Sequence, residues 1–138
     1  MDEPKRILII EDNFIMRGVI ARAFQNAFPD ALVDEFMNFS SHDFEDLITK
    51  YRFAIIAVDG DLSGWRPHPV FGTRGENLAR FITEYSPKTL IVGISNKTDN
   101  NRKIIAAGAA FAEEKSWIIH PGNLKILFND DLTKRRIG

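Results

Sequence analysis

Six residues of this chain close or follow apolar runs with groups able to do chemistry. Glu11 and Asp12 follow RILII, Asp59 follows FAIIAV, Asp61 stands two residues further on in a glycine-rich turn, Ser95 follows LIVGI, and Lys115 ends AGAAFAEEK. Carboxylates, a backbone carbonyl and waters are the oxygen set that Mg²⁺ takes. A carboxylate held beside such an ion can accept a phosphoryl group as an acyl phosphate, which makes Asp59 the candidate nucleophile. Lys115 and Ser95 would sit where charge builds on the transferred oxygens, the first as a point charge and the second as a hydrogen-bond donor. Gathering three acids costs about 4 kcal/mol per pair at about 4 Å with an effective dielectric of about 20, so a divalent cation is expected among them.

These residues lie far apart in the chain, so the fold has to bring them together. Parallel strands of one sheet expose their carboxyl ends along one edge, where open α/β sheets bind ligands. The sequence has the matching pattern of five apolar runs alternating with segments of helical period. Strands are expected at residues 7–10, 31–36, 53–58, 90–94 and 109–114. Phe14, Ile15, Val19, Ala23 and Phe24 recur at helical spacing until Pro29. Ser40 and Ser41 are candidate caps for a helix marked by Phe44, Leu47, Ile48 and Tyr51. Leu78, Phe81, Ile82 and Tyr85 mark a third helix closed by Pro87. Asp99 is the candidate cap of a fourth, through Ile104, Ile105 and Ala106, that Gly108 stops; Leu124, Leu127 and Phe128 mark the last. Residues 60–75 hold two prolines, four glycines, a tryptophan and a histidine, and are long for a strand-to-helix connection.

Bulk properties narrow the classes of function. At 138 residues the chain is expected to be one domain, burying roughly 68% of the surface its unfolded form exposes. Eighteen basic against 19 acidic residues give a formal charge of -1, which supplies no electrostatic drive toward nucleic acid or an anionic membrane. The basic end Lys134, Arg135, Arg136 reads as a solvated tail. There are no cysteines, so disulfides, thiol nucleophiles and cysteine-bound zinc are excluded. No apolar run approaches the roughly 20 residues of a membrane helix and the first residues are too charged for a signal peptide, so a cytoplasmic location is expected.

The pieces RILIIEDN, FAIIAVDGD, TLIVGIS and AGAAFAEEK, in that order, resemble the receiver domain of bacterial two-component response regulators of the chemotaxis-regulator type, over about residues 6–132. That resemblance implies an α/β, flavodoxin-like, doubly wound sheet of five parallel strands in the order 2-1-3-4-5 with five helices. It also implies roles. Asp59 would be the phosphorylated aspartate of a phosphoprotein, Asp12 a direct Mg²⁺ ligand, and Glu11 a ligand acting mainly through a metal-bound water. The backbone carbonyl of Asp61 would complete the metal set, Ser95 would be the switch hydroxyl, and Lys115 the lysine that pairs with the phosphoryl group. The expected partners are a histidine kinase or histidine phosphotransfer protein that donates phosphate, and a downstream protein target reached by a population shift between two conformers. Direct nucleic-acid binding and membrane insertion are not expected, and the sequence leaves homodimerisation open. Such a protein catalyses at most its own phosphorylation and dephosphorylation. No output segment follows the last helix, so residues 1–138 read as a stand-alone receiver.

Several positions depart from the family pattern. Trp65, Arg66, His68 and Phe71 in the long loop inherit no role; Trp65 and Phe71 are expected to pack the loop down or form a partner patch, and His68 is a metal-ligand or phosphate-contact candidate of a kind, the lone loop histidine, that is more often neither. Ala112 stands where an aromatic switch residue is usual, and strand alternation keeps the neighbouring Phe111 from replacing it. Ser116 replaces the proline that usually follows the lysine, and Asn96 is bulkier than the usual residue after the hydroxyl. Asp59, Asp61, Ser63 and Gly64 also begin an EF-hand pattern, but its twelfth position is Val70, not Glu. Two alternatives stay open. One is a receiver-like binding module that works without phosphorylation. The other is a haloacid dehalogenase-type phosphatase using Asp59 and Asp61, against which the early position of Glu11 and Asp12 counts.

Overall fold

The computed structural model describes residues 4–40 and 42–128. The Ser41 cap, the tail Lys134, Arg135, Arg136 and the last residues of the 6–132 core lie outside the described residues. Strands β1 (Arg6–Ile10), β2 (Leu32–Glu35), β3 (Ile55–Asp59), β4 (Leu90–Ile94) and β5 (Phe111–Glu113) alternate with helices α1 (Phe14–Ala27), α2 (Phe44–Lys50), α3 (Gly75–Tyr85) and α4 (Thr98–Ala106). Two short helices follow β5: α5 (Lys115–Ile118) and α6 (Asn123–Leu127). All four strand pairings are parallel and the sheet runs β2-β1-β3-β4-β5. The order and class are those expected from the sequence.

The sheet is covered on both faces, which is why its central strands are apolar throughout. Alternate residues serve opposite layers. Leu8, Ile10, Ile56, Val58 and Ile91 pack with Phe44 and Ile48 of α2, Leu78 and Ile82 of α3, and Ile104 of α4. Ile7, Ile9, Ile55, Ala57, Val92 and Phe111 pack with Ile20 and Phe24 of α1, Ile118 of α5, and Leu124 and Leu127 of α6. Phe111 thus belongs to the second layer, its ring 5.2 Å from that of Phe128, and does not stand in for an aromatic at Ala112.

Four local expectations need correction. In α1 the buried residues are Arg17, Ile20, Ala21 and Phe24, whereas Phe14, Ile15 and Val19 are exposed. Both faces carry apolar residues, so period alone does not say which turns inward. Helix α2 is capped by Asp43, whose side chain accepts from Asp46 N–H at 3.0 Å, and not by Ser40. Asp99 is in the first turn of α4, where its charge suits the helix dipole, and Lys97 takes the cap position. The helix expected around Leu124 and Leu127 is α6, and an additional short helix, α5, precedes it, separated by the turn at Pro121 and Gly122 (φ 83°). Lys115 therefore opens a helix, and the bond to Ser116 is trans, as are all peptide bonds among the described residues.

Candidate functional site

At the carboxyl edge of the sheet, Glu11, Asp12, Asp59, Asp61, Ser95 and Lys115 line one cavity of about 350 Å³. Each arrives by a local device. The first acidic pair ends β1, and Asn13 then caps α1 by accepting from Met16 N–H at 3.0 Å, so the chain turns immediately after Asp12. Asp59 is the last residue of β3, paired with Ile94, which places Ser95 at the adjoining strand end. Lys115 follows β5, its N–H donating to Asn96 Oδ1 at 3.0 Å.

The charged core of the site is a lysine shared by two acids. Lys115 Nζ donates to Glu11 Oε1 at 2.8 Å and to Asp59 Oδ2 at 3.0 Å. Asp59 is buried, and its Oδ1 accepts from Asp61 N–H at 3.2 Å. Glu11 is fully buried, with Oε2 left without a partner. Burial, then the hydrogen bond and charge of Asp59, push the Glu11 carboxyl up from 4.5 to about 8, against the opposing pull of Lys115. Burial alone would lower the Lys115 pKa, but its bonds and charges with Glu11 and Asp59 outweigh that and raise it. Asp61 goes the other way. The hydroxyl and amide of Ser63, and less strongly Lys97, hold its carboxyl below the ordinary carboxylate range.

A divalent cation fits this donor set. Glu11, Asp12 and Asp59 each offer a carboxylate oxygen, and these oxygens lie within 4.8 Å of one another. The unpartnered Glu11 Oε2 is a buried acceptor of the kind that calls for an ion or a proton. Without metal, the folded protein holds a proton at Glu11 that the unfolded chain releases. This contribution to stability is full below about 4.5 and is lost as pH rises through about 8. Melting of the metal-free protein should therefore fall across that window, the fall should vanish in Glu11→Gln, and a divalent cation bound there should reverse it by displacing the proton. A flat melting profile in the parent protein would contradict the raised carboxyl.

Ser95 Oγ accepts from Lys97 N–H at 3.1 Å and faces Asn100 Nδ2 at 3.5 Å. Both partners are donors, so neither uses the O–H of Ser95. Asn96 lines the same cavity, and its side-chain oxygen accepts from Lys115 N–H. His68 is not at the site: its Nδ1 accepts from Val70 and Phe71 N–H at 3.0 and 3.2 Å, and its ring stacks on Phe71 at 4.6 Å. Trp65 and Phe71 pack the loop onto the α2–α3 layer, as expected.

Three contributors carry little sequence signal. Arg17, buried on α1, donates to the Glu11 carbonyl at 3.1 Å and to Glu35 Oε1 at 3.1 Å, tying the ends of β1 and β2 together. Its position three residues before Ile20 on the inward stripe is the only hint of it. Gly64 N–H donates to Asp12 Oδ2 at 2.6 Å. Asn100 packs so closely on Gly60 that a side chain at residue 60 would meet its Cβ.

A structure from Methanospirillum hungatei JF-1, described as a response regulator receiver domain protein, superposes with a TM-score of 0.69 at 17% identity, covering 96% of this chain and 97% of that one. The fold is that of response-regulator receiver domains. A signal receiver domain of a DNA-binding response regulator from Colwellia psychrerythraea 34H gives a TM-score of 0.67 at 20% identity, over 94% of this chain and 98% of that chain. A response regulator protein from Burkholderia pseudomallei, with a phosphorylated aspartic acid, calcium ion and citrate, gives 0.67 at 19%, over 96% of this chain and 71% of the other. No protein-family model matches the chain, and no curated protein matches its sequence. Within the receiver fold, none of the described helices is long and apolar enough to cross a membrane.

Proposed function

We propose that this protein is a Mg²⁺-dependent phosphoacceptor, taking a phosphoryl group onto Asp59 from a phosphohistidine of a kinase or phosphotransfer protein and signalling by a conformational switch. The observation that carries this reading is the convergence of Glu11, Asp12, Asp59, Ser95 and Lys115 on one cavity at the edge where parallel sheets bind ligands. Bound Mg²⁺ would neutralise the acids and the phosphoryl oxygens, held by Asp59, Asp12, Glu11 and the main-chain carbonyl of Asp61. A carboxylate oxygen of Asp59 attacks phosphorus as the phosphorus–nitrogen bond of the donor breaks, and the electron pair leaves with the imidazole. Lys115, 3.0 Å from Asp59 Oδ2, is within reach to shift its charge from the carboxylate to the transferred oxygens. Ser95 has a hydroxyl proton to donate to the same oxygens. Phe14 and Ile15, 71% and 66% exposed in the first turn of α1, offer a protein donor an apolar foothold at the rim.

The phosphatase alternative asks Asp61 to be a general acid. Hydrogen bonds from Ser63 hold that carboxyl ionised, which disfavours proton donation at neutral pH. The binding-module alternative draws on both Asp59 oxygens being engaged. Incubation with acetyl phosphate and Mg²⁺, followed by intact mass, separates the readings. A single phosphoryl gain that disappears in Asp59→Asn is expected. No gain with small or protein donors would leave the binding module, and steady release of phosphate from esters, lost in Asp61→Asn, would establish the phosphatase.

A further inference from the structure

We propose that residues 60–75 are part of the metal site: the Gly64 amide is the positioning group of Asp12, and the adjacent Trp65 carries the state of that site to the segment between β2 and α2. This rests on the reading of Glu11, Asp12 and Asp59 as metal ligands.

The contact is specific. Gly64 N–H reaches Asp12 Oδ2 at 2.6 Å across 52 residues of sequence, a short bond to an ionisable acceptor. With one carboxylate oxygen held by the amide, the orientation of the other is fixed as well, which is how outer partners set metal-ligand geometry. Glycine permits the approach: a Cβ at residue 64 would lie 2.5 Å from that same Oδ2, so a larger residue would displace the Asp12 carboxylate.

The loop is braced, so the amide is not a chance visitor. Leu62 is fully buried, and its N–H donates to Thr73 O at 2.8 Å. His68 and Gly72 exchange backbone hydrogen bonds of 3.1 and 2.9 Å, and Phe71 is buried against α2 and α3. Trp65 follows Gly64 directly, with its ring 5.6 Å from Phe36 and 5.4 Å from Phe39. Two consecutive residues thus face two places, Gly64 the acidic cavity and Trp65 the aromatic segment before α2. Any movement of Asp12 on metal binding or phosphorylation is passed to Trp65 through one peptide unit, and the coupling acts equally in reverse.

Trp65 can report on this itself, since the only other tryptophan is Trp117. In a Trp117→Phe protein, Mg²⁺ titration should change Trp65 emission with the same midpoint that calorimetry gives for Mg²⁺ binding, and Asp12→Ala should abolish the response. In Gly64→Ala, where the amide is kept but the new Cβ displaces the Asp12 carboxylate from it, Mg²⁺ affinity should fall by about tenfold or more, the usual effect of disturbing an outer partner. The emission titration does not depend on that variant folding. A flat Trp65 emission while calorimetry shows saturation, or parent-like affinity in folded Gly64→Ala, would overturn the coupling and leave the phosphoacceptor reading intact. Absence of calorimetric Mg²⁺ binding in the parent protein would remove both.

Discussion

Lys115→Ala should lower the stability of the metal-free protein at neutral pH by about 3 kcal/mol, the lower end of what breaking a buried ion pair by removing one partner costs. Lys115 is the cation between Glu11, which is fully buried, and Asp59, whose side chain is 4% exposed. Its removal leaves two acids facing each other with no counter-charge. Glu11 already sits at about 8 and can retain a proton, which limits the loss. Denaturant unfolding should therefore show a deficit that shrinks toward acid pH, where the acids are neutral, and that Mg²⁺ partly repairs. Phosphorylation by a small donor should slow by about a hundredfold, as expected when a preorganised charge at the transferred oxygens is lost. A stability change below about 1 kcal/mol would mean that the lysine contributes little to holding the acids together.

The second large effect is at the loop. Phe71→Ala should destabilise the protein by about 3 kcal/mol or more, as for other large-to-small changes of buried aromatics. Phe71 is buried, with its ring 5.6 Å from Phe44 and 5.4 Å from Phe81 in edge-on contacts, and its carbonyl accepts from Asn77 Nδ2 at 3.0 Å. A surface loop would not notice the change. Phe71→Leu should recover most of the loss by refilling the volume. An alanine variant with parent-like unfolding would show that the loop is not integrated with the core.

The sheet was legible because its central strands are covered on both faces, so Ile7–Ile10 and Ile55–Val58 appear as unbroken apolar runs with polar residues at their ends. The candidate site followed from the same fact, since those ends share one edge. What stayed hidden has physical causes. Helix α1 carries apolar residues on its exposed face, which masked the inward stripe and with it the buried Arg17. Ser40 and Asp43 are both good caps by type, and only the backbone geometry of the turn selects Asp43. The bond from Gly64 to Asp12 spans 52 residues and leaves no periodic trace. The helix α5 has four residues, Lys115–Ile118, too few for a helical period to show.

The bond from Lys115 to Glu11 closes a separation of 104 residues. The acids at the ends of β1 and β3 can come together when those two strands pair, but their counter-charge waits for β5 at the far edge of the sheet. Until β5 has been made and paired, those acids lack their lysine, and non-local pairings of this kind form slowly. The acidic edge is thereby assembled in two stages, with the lysine arriving after both of the strands that bring its acids together.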